Sequence, residues 1–286
     1  MATTDEILSR TTFREALRAG PSFDLGALDP RSTPAFDGDK AEAEVLMPTL
    51  ADKASDLQEQ MYAESKAGGN RKILLVIQGM DTSGKGGVMR HVVGAMDPQG
   101  SEITAFKAPS EEEKKHHFLW RIRRALPAPG LIGVFDRSHY EDVLIVRVHD
   151  LVPEAEWSKR YDEINAFEAE VAADGTTIIK VMLHISNEEQ RARLAERLDR
   201  PDKHWKFNPG DIDERAHWDE YMEAYQAAIR RCSTEIAPWY VVPADRKWYA
   251  RLAVLNLVDE HLAAMGLEWP SVDFDVEEQK ARLAAT

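Results

Sequence analysis

The chain has 286 residues, 43% hydrophobic and 30% charged, with a formal net charge of −14. That is enough apolar material for one large or two small domains, and it excludes disorder throughout. No apolar run reaches the ~18–20 residues of a membrane span, and the acid excess argues against a nonspecific nucleic-acid binder. The opening residues, MATTDEILSRTTFREALRAG, lack the apolar stretch of a signal peptide, and Cys232 is the single cysteine. A reducing, cytoplasmic setting is therefore expected.

The charge is unevenly spread. Residues 1–65 carry 6 basic and 13 acidic side chains, and residues 259–286 carry 2 and 7. Two interior windows are locally basic, Lys107 to Arg124 and Gln190 to Lys206, each with 6 basic and 3 acidic residues. Charge alone reads these as solvated helix faces or as contacts for an anionic substrate.

In chain order, residues 1–65 read as two short amphipathic helices around Pro/Gly/Asp-rich chain, closed by Gly68-Gly69. Lys72 to Ile77 (KILLVI) is then a buried-type strand, with a helix predicted from about Gly84 to Met96. Glu102 to Phe106 is a weaker strand. Ser110 and Glu113, at capping-box spacing, predict a helix over Ser110 to Ala125. Leu131 to Phe135 (LIGVF) is a strand, Pro153 to Ala173 a helix and Thr176 to Ile185 a β-branched strand. Ser186 opens another helix, again with Glu189 at capping-box spacing. It breaks at Pro201 and resumes near Asp211. Trp239 to Val242 is a last short strand, and Arg246 to Met265 a closing helix. Strands alternating with helices predict an α/β fold with a five-stranded parallel sheet between two helical layers. In such sheets ligands bind off the carboxyl ends of the strands.

The first of those ends reads GMDTSGKGG over Gly79 to Gly87. This is the phosphate-loop spacing GxxxxGK between a strand and a helix. Gly84, Gly86 and Gly87 let backbone N–H groups turn toward phosphate oxygens, and Lys85 adds a point charge. The residue after Lys85 is Gly86 rather than the usual Ser or Thr, so the metal ligand must come from elsewhere. Asp81, inside the loop, is the substitute, and a carboxylate suits Mg²⁺.

Asp136, at the end of LIGVF, is the second expected metal carboxylate. Arg137 beside it can bind a phosphoryl group with two parallel hydrogen bonds. His139 is expected to pack or hydrogen-bond rather than act as a base, because a phosphate acceptor is already anionic. Between the fourth and fifth strands lie Arg191, Arg193, Arg197, Arg200, Lys203, His204 and Lys206, the composition of a mobile cationic lid. With Lys107 and Arg121 from the first basic window they would form a cationic track around an otherwise acidic molecule. No GxSxG elbow, HExxH or CxxC competes with this reading. The aromatic residues of WDEYMEAYQAAIRR are read as packing.

Three segments together resemble the family 2 polyphosphate kinases over about residues 35–265: GMDTSGKGG, FDRSHYEDVLIVRVH and RPDKHWKFNPGDIDERAHWDEYMEAYQ with APWYVVPADRKWY. The resemblance implies one thymidylate-kinase-like P-loop domain over residues 1–286, with a helical extension over 1–70 and a lid at about 197–212. It implies reversible, Mg²⁺-dependent phosphoryl transfer between inorganic polyphosphate and purine nucleotides, and a homodimer or homotetramer. Asp81, Lys85, Asp136 and Arg137 match the catalytic positions, and Arg197, Lys203 and Lys206 match the lid cations. Glu141, in SHYEDVLIVRVH, resembles the branch that accepts AMP as well as ADP, with Asp81, Arg137 and Glu141 toward the nucleotide. Two alternatives stay open: an ATP-dependent nucleoside or nucleotide kinase on the same scaffold, and a non-catalytic polyphosphate-binding module.

Overall fold

The computed structural model describes residues 11–286; residues 1–10 of the expected N-terminal extension lie outside the described residues. The described residues begin with a one-turn helix, α1 (Phe13–Leu17), capped by a Thr12/Glu15 capping box, and continue into the 27-residue α2 (Lys40–Lys66). Among the described residues, the short helices expected here are one short and one long. Pro48 lies inside α2 without breaking it, the Asp39/Glu42 capping box starts it, and Leu46, Leu50, Ala54 and Met61 give it a buried stripe.

The elements then alternate. They are β1 (Lys72–Gly79), α3 (Lys85–His91), β2 (Ser101–Ala105), α4 (Trp120–Arg124), β3 (Ile132–Asp136), α5 (Ile145–Val148), α6 (Glu154–Ala173) and β4 (Thr176–His184). After these come α7 (Asn187–Asp199), α8 (Gly210–Glu214), α9 (Trp218–Cys232), β5 (Trp239–Pro243), α10 (Lys247–Ala264) and α11 (Val276–Ala284). All four strand pairings are parallel, in the order β2-β3-β1-β4-β5.

The period-2 alternation of each strand divides the core in two. Ile73, Leu75 and Ile77 of β1, with Ile179, Val181 and Leu183 of β4, pack against α2, α3 and α10. Leu74, Val76, Ile178 and Met182 face the other way, into a second cluster with α6 and α9. Every residue of β1 is buried, as a central parallel strand covered on both faces requires.

Two predicted helices are shorter than expected. The helix after the phosphate loop ends at His91 and passes into a 3₁₀ turn over Val93–Ala95. The run Val92-Val93-Gly94 has low helix propensity and Pro98 follows closely. The capping box at Ser110 does form: the Ser110 N–H donates to Glu113 Oε2 at 2.7 Å and the Glu113 N–H to Ser110 Oγ at 3.3 Å. It starts only a 3₁₀ turn, Glu113–Lys115, and α-helix appears later at Trp120–Arg124. Residues 110–117 contain no buried side chain, so nothing apolar holds a longer helix there.

Candidate active site

The strand register sets the centre of the site. Ile77 of β1 lies beside Asp136 of β3, and Gly79 beside Leu183 of β4, so the phosphate loop and the Asp136-Arg137 turn leave the sheet side by side. Gly79 has φ +151°, and a Cβ there would sit 2.7 Å from both the Leu183 carbonyl oxygen and Ser83 Oγ. Gly84 has φ +118° as it opens α3. Both positions need glycine. Thr82 and Arg137 take left-handed backbone without being glycine, at φ +63° and +64°. Such strain clusters where a site demands it.

Lys85 folds back over the loop, with Nζ donating to the Gly79 carbonyl at 2.7 Å and the Met80 carbonyl at 3.3 Å. Burial lowers its pKa, and Asp81 works against that shift. Arg137 Nη2 donates to Asp81 Oδ1 at 3.0 Å. Burial opposes the Arg137 charge, but Glu141 and Asp81 outweigh it and its pKa is raised. Glu141 accepts a 3.1 Å bond from Gln78 Nε2, and burial raises its pKa against the pull of Arg137 and Lys85. Thr82 Oγ1, Ser83 Oγ and Gln78 Oε1 are buried and find no hydrogen-bond partner among the described residues. The two unsatisfied hydroxyls of the phosphate loop, on Thr82 and Ser83, suit a ligand-binding segment.

Two cavities flank the Asp136-Arg137 turn. One, of about 430 Å³, is lined by Asp81, Gly84, Lys85, Gly86, Gly87 and Asp136 on one side, and by Arg197, Lys203 and Lys206 on the other. The second, of about 730 Å³, is lined by Lys107, Arg121, Arg137 and Glu141, with an apolar wall that includes Phe106, Phe118, Ile145 and Val146. Asp136 faces the first and its neighbour Arg137 the second. The two basic windows line different cavities. Lys107 and Arg121 lie on the Glu141 side, where Arg121 Nη1 donates to the Lys107 carbonyl at 2.8 Å and Arg121 Cζ lies 5.4 Å from the Phe106 ring centre.

Asp81 and Asp136 line the same cavity. Among the described residues no cluster of three or more metal-ligating side chains exists. Two carboxylates next to a phosphate loop fit Mg²⁺, which commonly takes one or two carboxylates and completes its shell with substrate phosphates and water.

The cations of the expected lid differ among themselves. Arg193 is 5% exposed and fully engaged. Its Nη1 donates to the Thr82 and Ser83 carbonyls at 2.8 and 3.0 Å, and its Nη2 to those of Ala244 and Asp245 at 2.6 and 3.0 Å. It fastens the phosphate loop to the β5–α10 junction. Arg197 donates to the Lys206 carbonyl at 3.1 Å and to Asp211 Oδ2 at 3.2 Å, closing the lid loop on itself. Among the described residues Lys203 pairs only with exposed Asp202, and Lys206 Nζ lies over the exposed Trp205 ring.

Sequence reasoning missed three residues. Arg90 and Arg251 also line the phosphate-loop cavity. Burial and then Arg90 and Arg193 lower the pKa of Arg251, a crowding of cations that an anion would relieve. Arg251 lies just after the fifth strand's carboxyl end, where the sheet rule directs a search. Tyr225, read as packing, is buried beside Gly79 and Glu141, and burial pushes its hydroxyl well above its ordinary range.

A family model described as Polyphosphate kinase 2 (PPK2) matches residues 38–269. The chain belongs to this family. An AMP/ADP-polyphosphate phosphotransferase from Meiothermus ruber is 46% identical over 248 residues, 87% of this chain and 91% of the relative. An ADP-polyphosphate phosphotransferase from Rhodopseudomonas palustris is 42% identical over 263 residues, 88% and 89% of the two chains. The crystal structure of polyphosphate kinase 2 from Arthrobacter aurescens TC1 superposes with a TM-score of 0.95 at 52% identity, covering 96% of this chain and 98% of that one.

Proposed function

We propose that this polyphosphate kinase 2 moves phosphoryl groups reversibly between inorganic polyphosphate and AMP or ADP, with Mg²⁺ held by Asp81 and Asp136. The carrying observation is that neighbouring residues Asp136 and Arg137 line two different cavities, one bounded by the phosphate loop and the basic residues Arg197, Lys203 and Lys206, the other by Glu141 and an apolar wall. Polyphosphate lies along the first, and the nucleotide enters the second with its base against Phe106, Phe118 and Ile145. Lys85 holds the transferring group, and Arg137 spans toward the acceptor phosphate. The metal neutralises phosphate charge when bound. An anionic acceptor needs no deprotonation, so positioning and charge neutralisation supply the rate. Burial of Glu141 beside Arg137 suits a role in seating the shorter AMP, the acceptor that the Meiothermus relative's name includes.

The described residues contain no helix long and apolar enough to cross a membrane. The reading includes a cytoplasmic homodimer or homotetramer, which light scattering of the purified chain tests. The activity itself is tested by supplying Mg²⁺, polyphosphate and either AMP or ADP without ATP. ADP forms from AMP, and ATP from ADP. Phosphorylation with ATP as donor but none with polyphosphate would return the chain to the ATP-dependent alternative.

A further inference from the structure

Behind the turn that carries Arg137 and Glu141 lies a buried ionic cluster that lines neither cavity. Lys180, at the middle of β4, is fully buried and donates three bonds: to Glu168 Oε2 at 2.6 Å, to the Cys232 carbonyl at 2.6 Å and to Tyr140 Oη at 2.8 Å. Glu168 of α6, 2% exposed, accepts the Tyr140 hydroxyl at 2.8 Å, and His139 Nε2 lies 3.2 Å from the same oxygen. Burial drives the Glu168 carboxyl up, but Lys180 and His139 outweigh it and hold it below its ordinary value.

A buried ion pair contributes little net stability, because desolvation offsets most of its attraction. Such a pair is better explained by geometry it enforces. The 3₁₀ turn His139–Val143 is capped by Ser138, and Arg137 enters it at φ +64°. His139 and Tyr140 reach inward to Glu168, while Arg137 and Glu141 on either side of them line the nucleotide cavity. The inward pair fixes the turn, and the turn aims the outward pair.

We infer that Glu168 and Lys180, acting through Tyr140 and His139, are positioning residues that aim Arg137 and Glu141 at the nucleotide. This rests on the nucleotide occupying the larger cavity. Tyr140→Phe removes one hydroxyl and keeps the ring packed on Trp239 at 4.6 Å. The double variant Lys180→Met with Glu168→Gln removes the charges together, so neither is stranded.

Steady-state kinetics on these two and on Glu141→Gln, each with AMP and with polyphosphate as the varied substrate, test the inference. Misaiming of a positioned group by a fraction of an ångström should raise the AMP KM about fivefold and lower kcat about tenfold in Tyr140→Phe, more in the double variant, with polyphosphate KM unchanged. A merely structural role would leave both KM values alone or move them together, and either result in folded Tyr140→Phe overturns the inference. Glu141→Gln separates the two claims. If it shifts polyphosphate KM rather than AMP KM, the cavity assignment fails. If it shifts AMP KM while Tyr140→Phe is silent, only the positioning inference fails. Should the double variant not fold, Tyr140→Phe decides alone.

Discussion

Arg193 and Arg197 sit one turn apart on α7 and belong to the same basic run, yet the molecule uses them differently. Arg193, in the stem of the lid, gives four hydrogen bonds to backbone carbonyls and is buried. Arg197, at the start of the lid loop, holds a partly exposed carboxylate and one carbonyl, and faces the phosphate-loop cavity. The stem residue braces the phosphate loop, whereas the tip cations pair with Asp211 and Asp202 and, on the proposed reading, exchange these carboxylates for phosphate. A run of like charges is thus not a unit of function. Burial divides it into scaffold and ligand-facing parts.

The largest expected effect lies at the floor that stem and tip share. Lys85→Ala should lower kcat by ~10²–10³, the scale of losing one charged contact to a transferring group. Wild-type turnover by the folded variant would remove the phosphate loop from the chemistry. Asp81→Asn and Asp136→Asn should each lower turnover strongly and raise the Mg²⁺ concentration needed for half-maximal rate. Unchanged Mg²⁺ titrations in both would put the metal elsewhere.

Arg193→Met probes the stem. It removes the donor from four backbone carbonyls, at about 1–3 kcal/mol for each that stays buried and unpaired, and displacement of the loop should reduce kcat by about tenfold or more. Because these bonds are internal, the defect should be the same at low and high salt. The tip behaves oppositely. Lys203→Ala and Lys206→Ala should raise polyphosphate KM about three- to tenfold at low salt, a gap that narrows as ionic strength screens the polyanion. A salt-independent tip or a salt-sensitive stem would erase the distinction. Lys107→Ala should have the smallest effect, about a twofold to threefold rise in nucleotide KM from one exposed charge, with polyphosphate KM untouched.

Much of this arrangement was legible because buried parallel strands are short apolar runs, and the chemistry follows their ends. KILLVI and LIGVF are strands in the fold, and the residues just after them, Asp81, Lys85, Asp136 and Arg137, come together. The boundaries of α3 and the region 110–117 were not legible, because a capping box reports one turn of local preference and cannot say whether tertiary burial will extend it. Neither could spacing separate Arg193 from Arg197, since the difference lies in carbonyls more than 40 residues away in the chain. Tyr225 was hidden for the same reason: its helical spacing marks a buried face, but not that this face backs onto Glu141.

The central claim is that the two substrates occupy opposite sides of the Asp136-Arg137 seam. Equilibrium binding of polyphosphate and of AMP, each measured separately on Lys203→Ala and on Glu141→Gln, tests it most directly. The account predicts a crossed pattern: Lys203→Ala weakens polyphosphate alone, and Glu141→Gln weakens AMP alone. Weakening of both ligands by either substitution, or the reverse assignment, would contradict it.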